Sequence, residues 1–209
     1  MLKLLITGTG RCGTRFMADW LTASGTPCGH EKAFGYAGYT TGPEIADASW
    51  LAVPYLGLVP DSVRIIHLVR NPLHVVRSFL GTNHFGPFTR KHLVRPWHRY
   101  MSLHFGYNGA EPVQQAMKYW VKWNVAIEAW IDARSFVREW SDDRIRIENL
   151  RSVPWQVMVA QSIGADVDAM PSPETNRHRH APLERLPRNG WWDQLASMAE
   201  RYGYDPATL

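Results

Sequence analysis

The chain has 209 residues and a formal net charge of +4, with an isoelectric point near 9.2. That length suits one domain with a substantial core, and the mild positive balance favours an anionic ligand or partner without demanding one. The two cysteines, Cys12 and Cys28, exclude a disulfide framework. The first apolar run, Leu2 to Ile6, is too short for a signal peptide or a membrane span and lacks a cleavage-like flank. The expectation is a cytoplasmic chain with no membrane span and a single domain over 1–209, free of internal repeats and low-complexity tracts.

Leu2 to Ile6 reads as a buried strand that empties into Thr7-Gly8-Thr9-Gly10-Arg11-Cys12-Gly13-Thr14-Arg15. Phe16, Met17, Trp20 and Leu21 then recur at helical spacing, so a helix is expected from about Gly13 to Ala23, ended by Gly25-Thr26-Pro27. Strand, glycine turn and helix together aim backbone N–H groups and a positive helix end at one anion. Arg11 and Arg15 add full charges and Thr14 a hydroxyl donor. Gly8 and Gly13 have the spacing of a Walker A loop, but Thr14 stands where the lysine belongs and Arg15 where the magnesium-binding hydroxyl belongs. Such a cradle suits a phosphate ester whose reaction needs no metal. Cys12 lies inside the turn, where a small filling residue is expected rather than a redox thiol.

Gly29 to Gly42, rich in glycine and tyrosine, is expected to be a loop lining the site, and Ala46 to Leu58 to be partly helical with Pro54 interrupting it. Val63 to Val69 is β-branched and reads as a second interior strand. It ends in Arg70-Asn71-Pro72, where Asn71 can cap a helix and Pro72 fits its first position. Leu73, Val76 and Leu80 mark the apolar face of that helix, and Asn71, His74 and Ser78 another. Arg70 at its mouth and Ser78 two turns in are placed to clasp one anion. Ligands of open α/β sheets gather at the carboxyl ends of parallel strands, so the two anion sites are expected side by side on one edge.

Gly81 to Pro96 reads as irregular. Pro112 to Trp140 is the longest helix candidate, with Val113, Met117, Trp120, Trp123, Ile127, Trp130 and Ile131 on one core-packing stripe and Asn124 beside it as a satisfied buried amide. Arg144 to Glu148 is a short third strand. Ser152 can cap a helix to Ile163, Met170 to Gly190 is a proline-punctuated basic loop, and Trp191 to Tyr202 closes the chain as a helix. The fold class expected is α/β, a three-layer sandwich around a central, mainly parallel sheet with a P-loop-like anion site and a helix-rich second half.

Gly10-Arg11-Cys12-Gly13-Thr14, together with Arg70-Asn71-Pro72 and Ser78, resembles the two signature sites of sulfotransferases that use 3′-phosphoadenosine 5′-phosphosulfate (PAPS). The likeness continues at Cys28-Gly29-His30-Glu31, at Arg146-Ile147-Glu148-Asn149-Leu150 and at Tyr202-Gly203-Tyr204-Asp205-Pro206. The stretch from Arg90 to Gly109 is the main part without a counterpart. The resemblance implies that Gly10, Arg11, Cys12, Gly13, Thr14 and Arg15 hold the 5′-phosphosulfate, and that Arg70 and Ser78 hold the 3′-phosphate. Arg177 and Arg179, in the basic cluster Asn176–His180, fall where relatives close over the nucleotide. It implies in-line transfer of a sulfuryl group to a hydroxyl or amine, with PAPS as co-substrate and no metal.

A base must take the nucleophile's proton and a cation must neutralise the leaving oxygen. Arginine stays protonated, so Arg11 is the clamp. Glu31 is preferred as base because its position matches the family's acidic residue, with His30 as the alternative because its ordinary pKa suits work near pH 7. His67, inside a strand, is expected to be a core histidine. The acceptor is left open among small molecules, glycans and peptides, and the basic, aromatic segment Arg90–Arg99 is read as a grip for an acidic glycan or peptide, a platform that stacks on a sugar, a cover that closes over the nucleotide, or a solvated loop. A small-molecule or nucleotide kinase is the first rival, lacking the lysine and the magnesium ligands. A non-catalytic nucleic-acid binder is the second, disfavoured because the positive residues focus at strand ends.

Overall fold

The structure is a computed structural model and describes residues 1–40, 42–85, 95–107, 111–135, 144–171 and 180–209. These form an α/β protein built on a five-stranded parallel sheet. They fall into two compact units, one within 1–70 and 126–177, the other within 71–125 and 178–209. Among the described residues no helix is long and apolar enough to cross a membrane.

The first unit carries the sheet. Its strands are β1 (Leu4–Gly8), β2 (Cys28–His30), β5 (Ala46–Ala48), β6 (Arg64–Val69) and β7 (Arg144–Arg146), in spatial order β2-β5-β1-β6-β7. Every neighbouring pair is parallel, so all carboxyl ends share one edge. The chain moves to one side of β1 for β2 and β5 and then crosses to β6 on the other side, which makes β1 the switch point where α/β sheets bind ligands. Leu5, Ile6, Ile65, Ile66 and Leu68 are all buried, so successive residues are covered on both faces as interior parallel strands require. Helix α1 (Thr14–Ala23) follows β1 and packs Met17, Trp20 and Leu21 into the cluster of Ile6, Ile66, Leu68, Ile145 and Ile163. Burial of each large apolar side chain there contributes about 1.5–3 kcal/mol. Trp20 also donates its indole N–H to the Asp166 carbonyl at 2.7 Å.

Two segments between Gly29 and Leu58 depart from the sequence reading. Within Gly29 to Gly42 the chain forms the end of β2 and a small antiparallel hairpin of β3 (Phe34–Gly35) and β4 (Gly38–Tyr39). Ala46 to Leu58 divides into strand β5 and a 3₁₀ segment, Trp50–Leu58, with Pro54 inside it. Strands of three residues show no periodicity, and pairing with Leu4–Ile6 is what makes β5 a strand.

In the second unit, α2 (Pro72–Gly81) begins as expected: Asn71 Oδ1 accepts from Leu73 N at 2.9 Å and His74 N at 3.4 Å, with Pro72 in the first turn. Helix α3 (Pro96–Phe105) was not expected, although Pro96 opens it and Gly106, at φ 68°, closes it. Those are ordinary start and stop signals, obscured by the basic and aromatic residues beside them. Helix α4 (Pro112–Ser135), of which residues to Val125 belong to this unit and the rest to the first, buries Met117, Trp120, Trp123 and Ile127 of the predicted stripe, and Asn124 donates to the Trp120 carbonyl at 2.9 Å. Phe79, Phe85, Trp97 and Tyr119 form an aromatic core with ring centroids 5.1–6.2 Å apart. Helices α5 (Val153–Ile163), in the first unit, and α6 (Trp192–Arg201), in the second, match their expected positions within a residue or two.

Gly8 pins the end of β1. It pairs with Leu68, and a β-carbon added there would fall on the Leu68 carbonyl oxygen and lie 2.8 Å from Cys12 Sγ. Overpacking of this kind costs about 1–3 kcal/mol. Gly8→Ala is expected to lower unfolding stability by about 3 kcal/mol in urea titration, whereas Gly57→Ala, where no atom lies within 4 Å of the added carbon, should change it little.

Candidate functional site

The turn after β1 is shaped by its backbone. φ is positive at Arg11 (70°) and at Gly13 (107°), and at neither Gly10 nor Cys12. Alternation of hand turns successive N–H groups to the same side, a concavity that accepts anions. The N–H groups in the first turn of α1 lie beyond it, and none of them has an acceptor within the helix. Cys12 N donates to Thr9 O at 3.2 Å and tightens the turn. Gly13 admits no side chain without strain, and a β-carbon there would also press on Ile147 Cδ1 at 3.0 Å. Gly10, Cys12 and Thr14 are buried, Arg11 and Gly13 half-buried and Arg15 exposed.

Arg70, at the end of β6, reaches back to this turn: its Nη1 donates to the Arg11 carbonyl at 2.8 Å. Burial first, and then the nearby Arg70 guanidinium, hold Arg11 below its ordinary pKa. Two cations are therefore gathered at one turn. Cys12 fills space beneath it; complete burial pushes the thiol up to about 12, far from the thiolate that reactivity needs.

A line of polar contacts leads from the turn to Glu31. Thr14 Oγ1 lies 3.3 Å from His30 Nε2, and that nitrogen lies 3.7 Å from Glu31 Oε1. Trp50 Nε1 donates to the same Oε1 at 2.9 Å. These two contacts of Glu31 fall on one oxygen. Burial raises the Glu31 carboxyl, opposed by the Trp50 hydrogen bond and helped by Asp47. Burial, assisted by Arg15, lowers His30 to about 4, so the ring is neutral at pH 7.

The structure brings together Gly10, Arg11, Cys12, Gly13, Thr14, Arg15, His30, Glu31 and Arg70, all at the carboxyl edge of the sheet in the first unit. Ser78 belongs to the second unit, where it is buried in α2 and its carbonyl accepts from Thr82 Oγ1 at 2.9 Å. Arg177 and Arg179 lie outside the described residues, as do Arg90, Lys91 and His92 of the basic segment. His67 is fully buried inside β6. Sequence reasoning missed Trp50 and Asp47; an aspartate between two alanines in an apolar stretch was the available signal for a buried partner. No protein-family model matches the chain, and no curated protein matches it significantly.

The lowered His30 sets a sign for stability against pH. The unfolded ring takes up a proton near pH 6.5, while the folded ring resists until about 4, so stability should fall as pH drops through that interval. Denaturation at a series of pH values should show this slope, and His30→Gln should flatten it; identical slopes would remove His30 as the source.

Proposed function

We propose that this protein is a sulfotransferase that moves a sulfuryl group from PAPS to an acceptor hydroxyl or amine by in-line displacement. The finer fold reading, a three-layer arrangement with a P-loop-like anion site, belongs to the same proposal. The observation that carries it is the pairing of Arg11 with Arg70 at a left-handed turn. Two cations gathered at a turn whose backbone N–H groups face one side make an environment that attracts an anion. A nucleotide that carries a 5′-phosphosulfate and a 3′-phosphate fits that donor set: tetrahedral anionic groups for the turn and for the two guanidiniums, and no ligand required for magnesium.

Glu31 and Arg11 divide the chemistry. As the acceptor oxygen bonds to sulfur, the bond from sulfur to the nucleotide's phosphate oxygen breaks, and the acceptor's proton passes to Glu31. Arg11 neutralises the charge that collects on the leaving oxygen. Burial favours Glu31 over His30 as base, because it strengthens the carboxylate's hold on a proton and weakens the imidazole's. His30 then positions: through Nε2 it links Thr14 of the turn to Glu31. Arg70 keeps the role at the 3′-phosphate that the resemblance gives it.

Transfer from ³⁵S-labelled donor should be detectable across a panel of phenols, amines and glycans, in the absence of magnesium. Glu31→Gln should lower kcat about 100-fold or more while leaving the Kd for adenosine 3′,5′-bisphosphate nearly unchanged. Arg70→Ala should weaken that Kd by roughly 10-fold, the worth of a charge-assisted hydrogen bond. Magnesium-dependent binding of ATP with none of the bisphosphate would mean a kinase, and steeply salt-dependent binding of nucleic acid with no nucleotide binding would mean the second rival.

Occupation of the turn should also be visible without turnover. Millimolar sulfate or phosphate should raise Tm at constant ionic strength, as any ligand selective for the folded state does, and Arg11→Met should abolish most of the rise. An equal rise in both proteins would place the anion elsewhere.

A further inference from the structure

Glu31 sits in the left-handed region, at φ 58°, with its own N–H donated to Ala48 O at 3.4 Å. The residues that follow it are fastened to Asp47, in the middle of β5. Lys32 N donates to Asp47 Oδ1 at 3.1 Å and Phe34 N to Oδ2 at 3.2 Å, and the Asp47 residue is fully buried. Gly29, two residues before Glu31, is shaped by the same group: a β-carbon there would lie 2.6 Å from Asp47 Oδ1 and 2.7 Å from Lys32 Cβ. Ser49 completes the fastening, donating from Oγ to Phe34 O at 2.8 Å. A carboxylate accepts with both oxygens and an amide with only one, so this pair of backbone donors needs an aspartate.

We infer that Asp47 is a positioning residue for Glu31: buried at the carboxyl edge of the sheet, it holds the turn after β2 so that the Glu31 carboxylate meets the Trp50 indole and faces the anion-binding turn. The inference rests on the proposed role of Glu31 as base. Asp47 is too enclosed to meet an acceptor itself, and its two oxygens are spent on backbone N–H groups. Its charge also acts on Glu31, as do Arg15, His30 and Tyr36 around it. Asp47 therefore sets both where the base stands and how readily it takes a proton.

The Trp50 indole N–H is a reporter of Glu31 that needs no turnover, because it donates to the titrating oxygen. In the unsubstituted protein its ¹H–¹⁵N resonance should shift with pH and lose that shift in Glu31→Gln. Asp47→Asn should move the midpoint of this titration to lower pH, lower kcat by roughly 10- to 100-fold and leave the Kd for adenosine 3′,5′-bisphosphate within about twofold. Gly29→Ala, which drives a methyl against Asp47 Oδ1 and Lys32 Cβ, should also disturb the indole titration, by moving Glu31 away from the Trp50 indole. A folded Asp47→Asn or Gly29→Ala protein whose indole titrates as the unsubstituted one does would overturn the inference. Should neither variant fold, amide exchange in the unsubstituted protein decides: Lys32 and Phe34 N–H groups protected as buried hydrogen bonds support it, and exchange at the rate of free amides overturns it. Absence of sulfuryl transfer with the indole shifts intact would sink the transferase reading while Asp47's hold on Glu31 stood.

Discussion

The hydrogen bond from Arg70 Nη1 to the Arg11 carbonyl is the constraint on which the functional edge of the sheet depends. Parallel pairing sets β1 beside β6 in a register that puts Gly8 opposite Leu68, so both strands deliver their next residues to the same place. Arg70 then spends one donor on the backbone of the neighbouring turn. That bond fixes a carbonyl whose residue has positive φ, and it holds a second cation close to Arg11. Like charges at short range oppose such an arrangement, and more strongly where water is excluded. A hydrogen bond and a close-packed Gly8 hold the turn in shape.

Burial acts on the neighbouring pair His30 and Glu31 with opposite consequences. Removing water disfavours whichever form is charged, so the imidazole gives up its proton affinity while the carboxyl gains some. In free solution the histidine is the better base near neutrality. In this environment the order is reversed, because His30 falls to about 4 while Glu31 rises above its ordinary range. Residue type alone points to His30, and the assignment to Glu31 rests on the surroundings of both.

The parts legible in the sequence are those whose causes are local. α1, β6 and the cap of α2 follow from helical spacing, a β-branched run and the Asn71-Pro72 pair and were found where expected, and β1 follows from its apolar run but extends through Thr7 and Gly8 of the segment read as a turn. Strands β2 and β5 were not legible, because three residues carry no period and their pairing partners lie up to about forty positions away along the chain. For the same reason Gly29–Gly42 read as a loop: Lys32 and Phe34 are held by Asp47 of β5 and by Ser49 just after it, distant in sequence. Glycines and arginines marked the turn after β1, yet nothing near Arg70 in sequence indicated that it would bond to the Arg11 backbone. Glu31 was picked by its position, whereas its Trp50 partner came from a segment read only as apolar.

Left-handed backbone at residues other than glycine costs about 1–2 kcal/mol each, and glycine would avoid it. Arg11 and Glu31 both adopt it, at φ 70° and 58°. Each is held there by contacts from a different strand: Arg70 from β6 in one case, Asp47 and Ala48 from β5 in the other. In each turn the fold accepts the strained conformation and retains a long charged side chain at the point where glycine would be easiest. Strain of this kind is tolerated where a side chain at that point has work to do. For Arg11 the work proposed is to meet the leaving oxygen, and for Glu31 to receive the acceptor's proton. Opposite charges on two separately braced turns, joined through Thr14 and His30, are what a reaction that develops negative charge at one end and releases a proton at the other requires.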